Sequence, residues 1–235
     1  MQKRFSISLS HLSPMDEVAL HHIINCLSKS QYEEERGFGF KSIESTSDYI
    51  SAILVKRTPV FIPEYNVQLA QIEKRETFVF SEIKFGLDAK LKLLEIFGPT
   101  KDVPKVKSSL RPFLPKNIRM SSVELTPSNT VPKLLDYYTS ARIVRLTVRN
   151  FKYNEGVIGS YDMRIIRPEI ALDIISTYAA DVITATVSIN SDLLNNVAMK
   201  LTNTGRLILH CEDDQLIEFF SFTKEALFGG NEKYA

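Results

Sequence analysis

Arg145, Thr147 and Arg149 alternate with Val144, Leu146 and Val148. Period-two alternation predicts a half-buried strand, with the apolar set facing a core and the basic set facing outward. Phe151 and Tyr153 continue the basic phase if the strand stays regular, and Arg142 and Lys152 lie close by. Arg164 and Arg167 on the next strand-like run can join the same face. Arginine and lysine neutralise phosphates, and aromatic rings stack on unpaired bases. The chemistry expected of Arg142, Arg145, Arg149, Phe151, Lys152, Tyr153, Arg164 and Arg167 is therefore nucleic-acid binding.

Other spacings point to weaker chemistry. Glu82 and Lys84 sit two residues apart on one strand, the Glu-x-Lys arrangement of metal-dependent nucleases, with Asp48 as a candidate upstream acid. His22 and Cys26 are one helical turn apart, with His21 beside them; His11, His210 and Cys211 complete a zinc set only if the chain ends converge. Ordinary helical packing accounts for the pair. Glu212, Asp213 and Asp214 precede a helix, where capping explains them. The chain has no phosphate loop, no G-x-G-x-x-G, no G-x-S-x-G and no paired C-x-x-C. No catalytic residue, metal ligand or cofactor is assigned.

Three segments must position these residues. Each reads as strand, turn, strand, helix: 77–85, 90–97 and 102–110; then 142–153, 157–166 and 169–178; then 197–203, 206–211 and 215–227. Asn154-Glu155-Gly156 and Asn203-Thr204-Gly205 supply turns, and Pro168 suits a helix start. The fold expected is α+β, with a mainly antiparallel sheet built from repeated strand-strand-helix units and helices packed on one face. Upstream, Phe5, Ile7 and Leu9 alternate with serines, and a helix capped by Ser13 and entered through Pro14 carries Val18, Ile23, Ile24 and Leu27 inward. Strand-like runs follow at 38–43, 49–55, 60–62 and 67–72, with Pro59 and Pro63 marking edges or breaks. The expected division is a strand-helix-strands subdomain over 1–75, a repeat domain over 76–228 and a flexible tail over 229–235.

The net charge of +1 hides a separation. Residues 100–170 hold 13 Lys/Arg against 6 Asp/Glu, a balance of +7; the remainder holds 16 against 22, a balance of −6. Such a separation bears on partners rather than on fold. Two cysteines, Cys26 and Cys211, form no disulfide framework and are expected to be buried thiols in a reducing compartment. There is no apolar run of membrane-spanning length, and serines break up any N-terminal signal core, so a cytoplasmic protein is expected.

The strand-strand-helix segments resemble, in topology, pieces of TATA-binding-protein-like and ferredoxin-like folds. The resemblance implies a nucleic-acid or protein-binding module and transfers no residue roles. The expectation is a non-enzymatic nucleic-acid-binding protein acting through 100–170. The alternatives are a protein-protein adaptor or complex subunit, in which the basic segment meets an acidic partner such as the −6 remainder of another copy and exposed edges near Val60–Ile72 pair with a partner strand, and a metal-dependent nuclease.

Overall fold

The computed structural model describes residues 2–68, 70–154, 156–191, 194 and 196–229. In chain order the elements are β1 (Lys3–Ser13), α1 (Glu17–Ser28), β2 (Phe38–Ser45), β3 (Tyr49–Asn66), β4 (Gln71–Asp88), β5 (Leu93–Phe97), α2 (Val103–Leu110), β6 (Arg119–Ser122), α3 (Pro127–Tyr137), β7 (Arg142–Asn154), β8 (Val157–Arg164), α4 (Pro168–Thr177), β9 (Val182–Ile189), β10 (Val197–Thr202), β11 (Arg206–Cys211) and α5 (Leu216–Phe228). One-turn 3-10 helices flank α2 at Thr100–Asp102 and Arg111–Phe113. The molecule is mixed α+β, and its strands pair mostly antiparallel.

The chain divides into two compact units. A terminal unit comprises Met1–His11 with Met120–Ala235, and a central unit comprises Leu12–Arg119. Residues 75 and 76, where the sequence suggested a boundary, are consecutive in β4; the units exchange at 11/12 and 119/120. The tail beyond 229 lies outside the described residues, as does Glu155 of the Asn154-Glu155-Gly156 turn.

In the terminal unit the strands run β1-β11-β10-β9-β7-β8. One sheet face carries Ile7, Leu9, Leu207, Leu209, Cys211, Val197, Met199, Leu201, Ala185, Val187, Leu146 and Val148, all buried. Against it pack the apolar sides of α3, α4 and α5, including Val131, Leu134, Ala171, Ile175, Phe219 and Phe220. Burying these groups is the main stabilising term of the unit. Gly205 turns β10 into β11 at φ +74°, and a Cβ there would lie 2.2 Å from the Val123 carbonyl oxygen, so only glycine fits.

In the central unit the order is β2-β3-β4-β5. Ile50, Ala52 and Leu54 of β3 lie opposite Leu87, Phe85 and Ile83 of β4, and Phe40 packs edge-on against Phe85 and Phe113. Three local expectations change. The cap of α1 is Asp16, whose carboxylate accepts from the Ala19 amide at 2.8 Å, because β1 continues through Ser13. Leu20, Ile23 and Leu27 form the buried stripe of α1, while Val18 is exposed. β3 runs through Pro59 and Pro63 without a break, and both lie beyond Lys56, where β3 has β4 alone as a neighbour, so they mark an edge.

β3 and β4 are far longer than their neighbours. β2 pairs with β3 only up to Lys56, and β5 pairs with β4 only from Lys84. Residues 57–66 and 71–80 therefore form a two-stranded arm in an unbroken register from Arg57↔Phe80 to Asn66↔Gln71, and the outer edge of β4 stays unpaired through Ile83.

Candidate nucleic-acid interface

The sheet face of the terminal unit opposite the apolar one is mostly polar, with Ala198 and the buried Ile208 as its apolar members, and the strand registers define it row by row. Arg142, Ser188, Ala198, His210 and Arg4 share one row across β7, β9, β10, β11 and β1. The next row holds Arg164, Arg145, Thr186, Lys200, Ile208 and Ser6, starting on β8. A third holds Asp162, Thr147, Thr184, Thr202, Arg206 and Ser8. Seven basic or imidazole side chains thus share a face with hydroxyls, and Asp162 is the one carboxylate among the described residues in those rows. Strand spacing of about 4.8 Å makes the strip from Arg4 to Arg142 about 19 Å wide.

The rows are tied together by side-chain bonds. Arg145 donates to both Asp162 oxygens, Nε to Oδ1 at 2.7 Å and Nη2 to Oδ2. Thr184 donates to the Thr147 hydroxyl at 2.8 Å, and Arg206 Nε donates to Ser6 Oγ at 2.6 Å. The electrostatics register the excess of positive charge. The hydrogen bonds from Arg145 hold the Asp162 carboxyl below its ordinary value, and Lys200 adds to the effect. Burial first, then Arg4 and Lys200, push His210 below its ordinary value and favour the neutral ring.

Of the residues singled out from the sequence, Arg142, Arg145 and Arg164 come together on this face, all exposed. Lys152, opposite Ile158, is exposed where the β7–β8 hairpin runs beyond β9. Arg149 sits at a bulge, its backbone amide donating to the Asp181 carbonyl at 2.8 Å, and Arg167 occupies the N-cap position of α4, without a side-chain capping bond, beyond the end of β8. The strand does not stay regular. The registers shift between Val148 and Phe151, and Asn150 adopts φ +55° with its amide donating to Asp181 at 3.0 Å. The extra residue turns Phe151 onto the helix side, where its ring packs against Tyr161 at 5.3 Å and Tyr178 at 5.0 Å. Phe151 therefore does not share the face of Arg145. The Tyr153 side chain lies outside the described residues.

Arg4, Lys200, Arg206 and His210 were not singled out from the sequence. The alternation of Ala198, Lys200 and Thr202 with Val197, Met199 and Leu201 marks the polar phase of its strand. Only the strand order shows that this phase shares a face with Arg145. The basic segment itself divides: residues 100–119, with six Lys/Arg and one Asp, fall in the central unit, while 120–170 bring seven Lys/Arg and five Asp/Glu to the terminal unit.

The other arrangements are not assembled. Glu82 lies opposite Val55 and accepts from Lys41 at 2.6 Å, whereas Asp48 precedes Tyr49, seven residues away along the strand and roughly 23 Å distant. The Cys26 thiol and the His22 ring are 3.5 Å apart on α1. His210 and Cys211 point to opposite sheet faces, and Cys26 is half-buried rather than buried. Among the described residues no three His, Cys, Asp or Glu side chains gather in a way that could hold a metal ion, and no helix is long and apolar enough to cross a membrane. No protein-family model matches the chain, and no curated protein gives a significant match to its sequence.

Proposed function

We propose that this is a non-enzymatic nucleic-acid-binding protein, working in a reducing cytoplasm, whose contact surface is the polar sheet face of the terminal unit. The observation that carries the reading is the gathering of Arg4, Arg142, Arg145, Arg164, Lys200, Arg206 and His210 on one face, with Asp162 the one opposing carboxylate in those rows. Arginine and lysine supply salt-sensitive affinity for phosphates. The serine and threonine hydroxyls between them donate to phosphate and sugar oxygens. With Phe151 turned to the helix side, backbone contacts rather than base stacking dominate. Fluorescence polarisation with DNA and RNA oligonucleotides at two salt concentrations tests this. Binding at low salt with a steep salt dependence supports it; no binding at low salt refutes it.

A second reading, a protein-interaction subunit, is favoured by the β3–β4 arm. Phe61, Ile62, Tyr65, Ile72, Val79 and Phe80 are exposed along it. Two-stranded arms of that composition are marginal alone and mark interaction surfaces.

A further inference from the structure

The two edges of the β3–β4 arm differ. The Arg57 amide donates away from β4, to the Gly37 carbonyl at 2.7 Å. In an unbroken antiparallel register every second residue repeats that direction. Arg57, Pro59, Phe61, Pro63 and Tyr65 of β3 therefore face the outer edge on their side. Their partners Phe80, Phe78, Glu76, Lys74 and Ile72 face the outer edge of β4. Prolines at 59 and 63 remove two of the outward donors of β3, which blocks strand addition there. The β4 edge carries no proline from Gln71 to Ile83 and ends where β5 begins to pair at Lys84.

We propose that this edge of β4 pairs antiparallel with the same edge of a second copy, about a two-fold axis at Arg75. The proposal develops the protein-interaction reading and is independent of the nucleic-acid face. Outward-facing residues must meet outward-facing residues, so the two paired residue numbers are both even. Every such register sets one like pair on the axis, so the flanking pairs decide: centring on Lys74 sets Ile72 against Glu76 twice, and centring on Glu76 sets Lys74 against Phe78 twice. Centring on Arg75 sets Lys74 against Glu76 twice and Ile72 against Phe78 twice. Both charge pairs and both apolar pairs are then matched on one face of the ribbon, as an isologous contact requires. The partner's Ala70 falls opposite Phe80, short of β5, so the free edge accommodates the whole pairing. At Arg75 itself the two arginines meet at the axis, each within reach of its own Glu64 at 3.6 Å.

Light scattering after size exclusion of the full chain tests this. The wild type is expected at twice the 26.7 kDa monomer mass. Glu76→Lys sets lysine against lysine at two places and is expected to halve the mass; adding Lys74→Glu restores the dimer with the charges exchanged. Arg75→Cys places two thiols at a close pair, with Cα atoms about 4.5 Å apart, and is expected to crosslink under mild oxidation where wild type does not. All these positions are exposed, and an unchanged circular dichroism spectrum verifies folding. A monomeric wild type overturns the pairing, as does a dimer insensitive to Glu76→Lys; neither result bears on a partner of different sequence, which pull-down with the Glu76→Lys chain detects separately.

Discussion

Arg145 and Asp162 form a two-pronged ion pair across β7 and β8, and that pair occupies the one carboxylate in the basic rows of the terminal sheet. Planar guanidinium and carboxylate match in geometry, so the Arg145 head is fixed on Asp162 by two bonds. It is also withheld in part from any phosphate. Asp162→Asn is expected to tighten nucleic-acid binding about three-fold at low salt, the scale of one added phosphate contact. Because the pair is exposed, thermal stability should change little. A weaker-binding Asp162→Asn would mean that Asp162 positions Arg145 rather than restrains it.

His210 gives the face a pH dependence of definite sign. Its folded value lies below the ordinary 6.5, through burial and then Arg4 and Lys200. The unfolded chain therefore binds the proton more readily, and stability falls as pH drops through 6.5 towards the folded value. A bound phosphate reverses the neighbours' effect and favours the charged ring. Nucleic-acid affinity should rise between pH 7.5 and 5.5, and His210→Gln should flatten both trends. Chemical denaturation and polarisation over that range measure them.

Gly86 and Glu95 define a tight point in the central unit. Glu95 is fully buried and accepts from the Tyr49 hydroxyl at 2.9 Å; burial and that carboxylate raise the tyrosine well above its ordinary value. A Cβ on Gly86 would stand 2.2 Å from the Tyr49 oxygen. Gly86→Ala should cost about 2 kcal/mol or more in denaturant unfolding, by displacing a side chain bonded to a buried acid. Nucleic-acid binding by folded protein should be unchanged.

Phe151 separates the two roles once expected of β7. On the helix side it packs with Tyr161 and Tyr178, so Phe151→Ala should lower stability by about 1–2 kcal/mol. Affinity for single strands should stay within two-fold of wild type. A large loss of affinity in a stably folded variant would return the ring to the contact surface.

The element types along β4–β5–α2, β7–β8–α4 and β10–β11–α5 were legible because alternation, turn glycines and helix-entry prolines are local signals. Their relations were not. β8 lies at a sheet edge while β10 and β11 have strands on both sides, so the segments do not hold equivalent positions. The bulge at Arg149–Asn150 is held by contacts with Asp181, 31 residues beyond Asn150, and period-two counting cannot anticipate it. The candidate face was legible on β7 and β8 alone. Arg4, Lys200, Arg206 and His210 join it through strand order, a long-range property that spacing does not encode.

The most direct test is the salt dependence of oligonucleotide binding by wild type and by Arg145→Ala with Lys200→Ala. The slope of log affinity against log salt should lie between about −3 and −5 for wild type, and lose about 2 in the double variant. The double variant should also bind at least ten-fold more weakly at low salt. Wild-type binding that is absent at low salt, or a double variant with unchanged slope and affinity, would contradict the assignment of this sheet face.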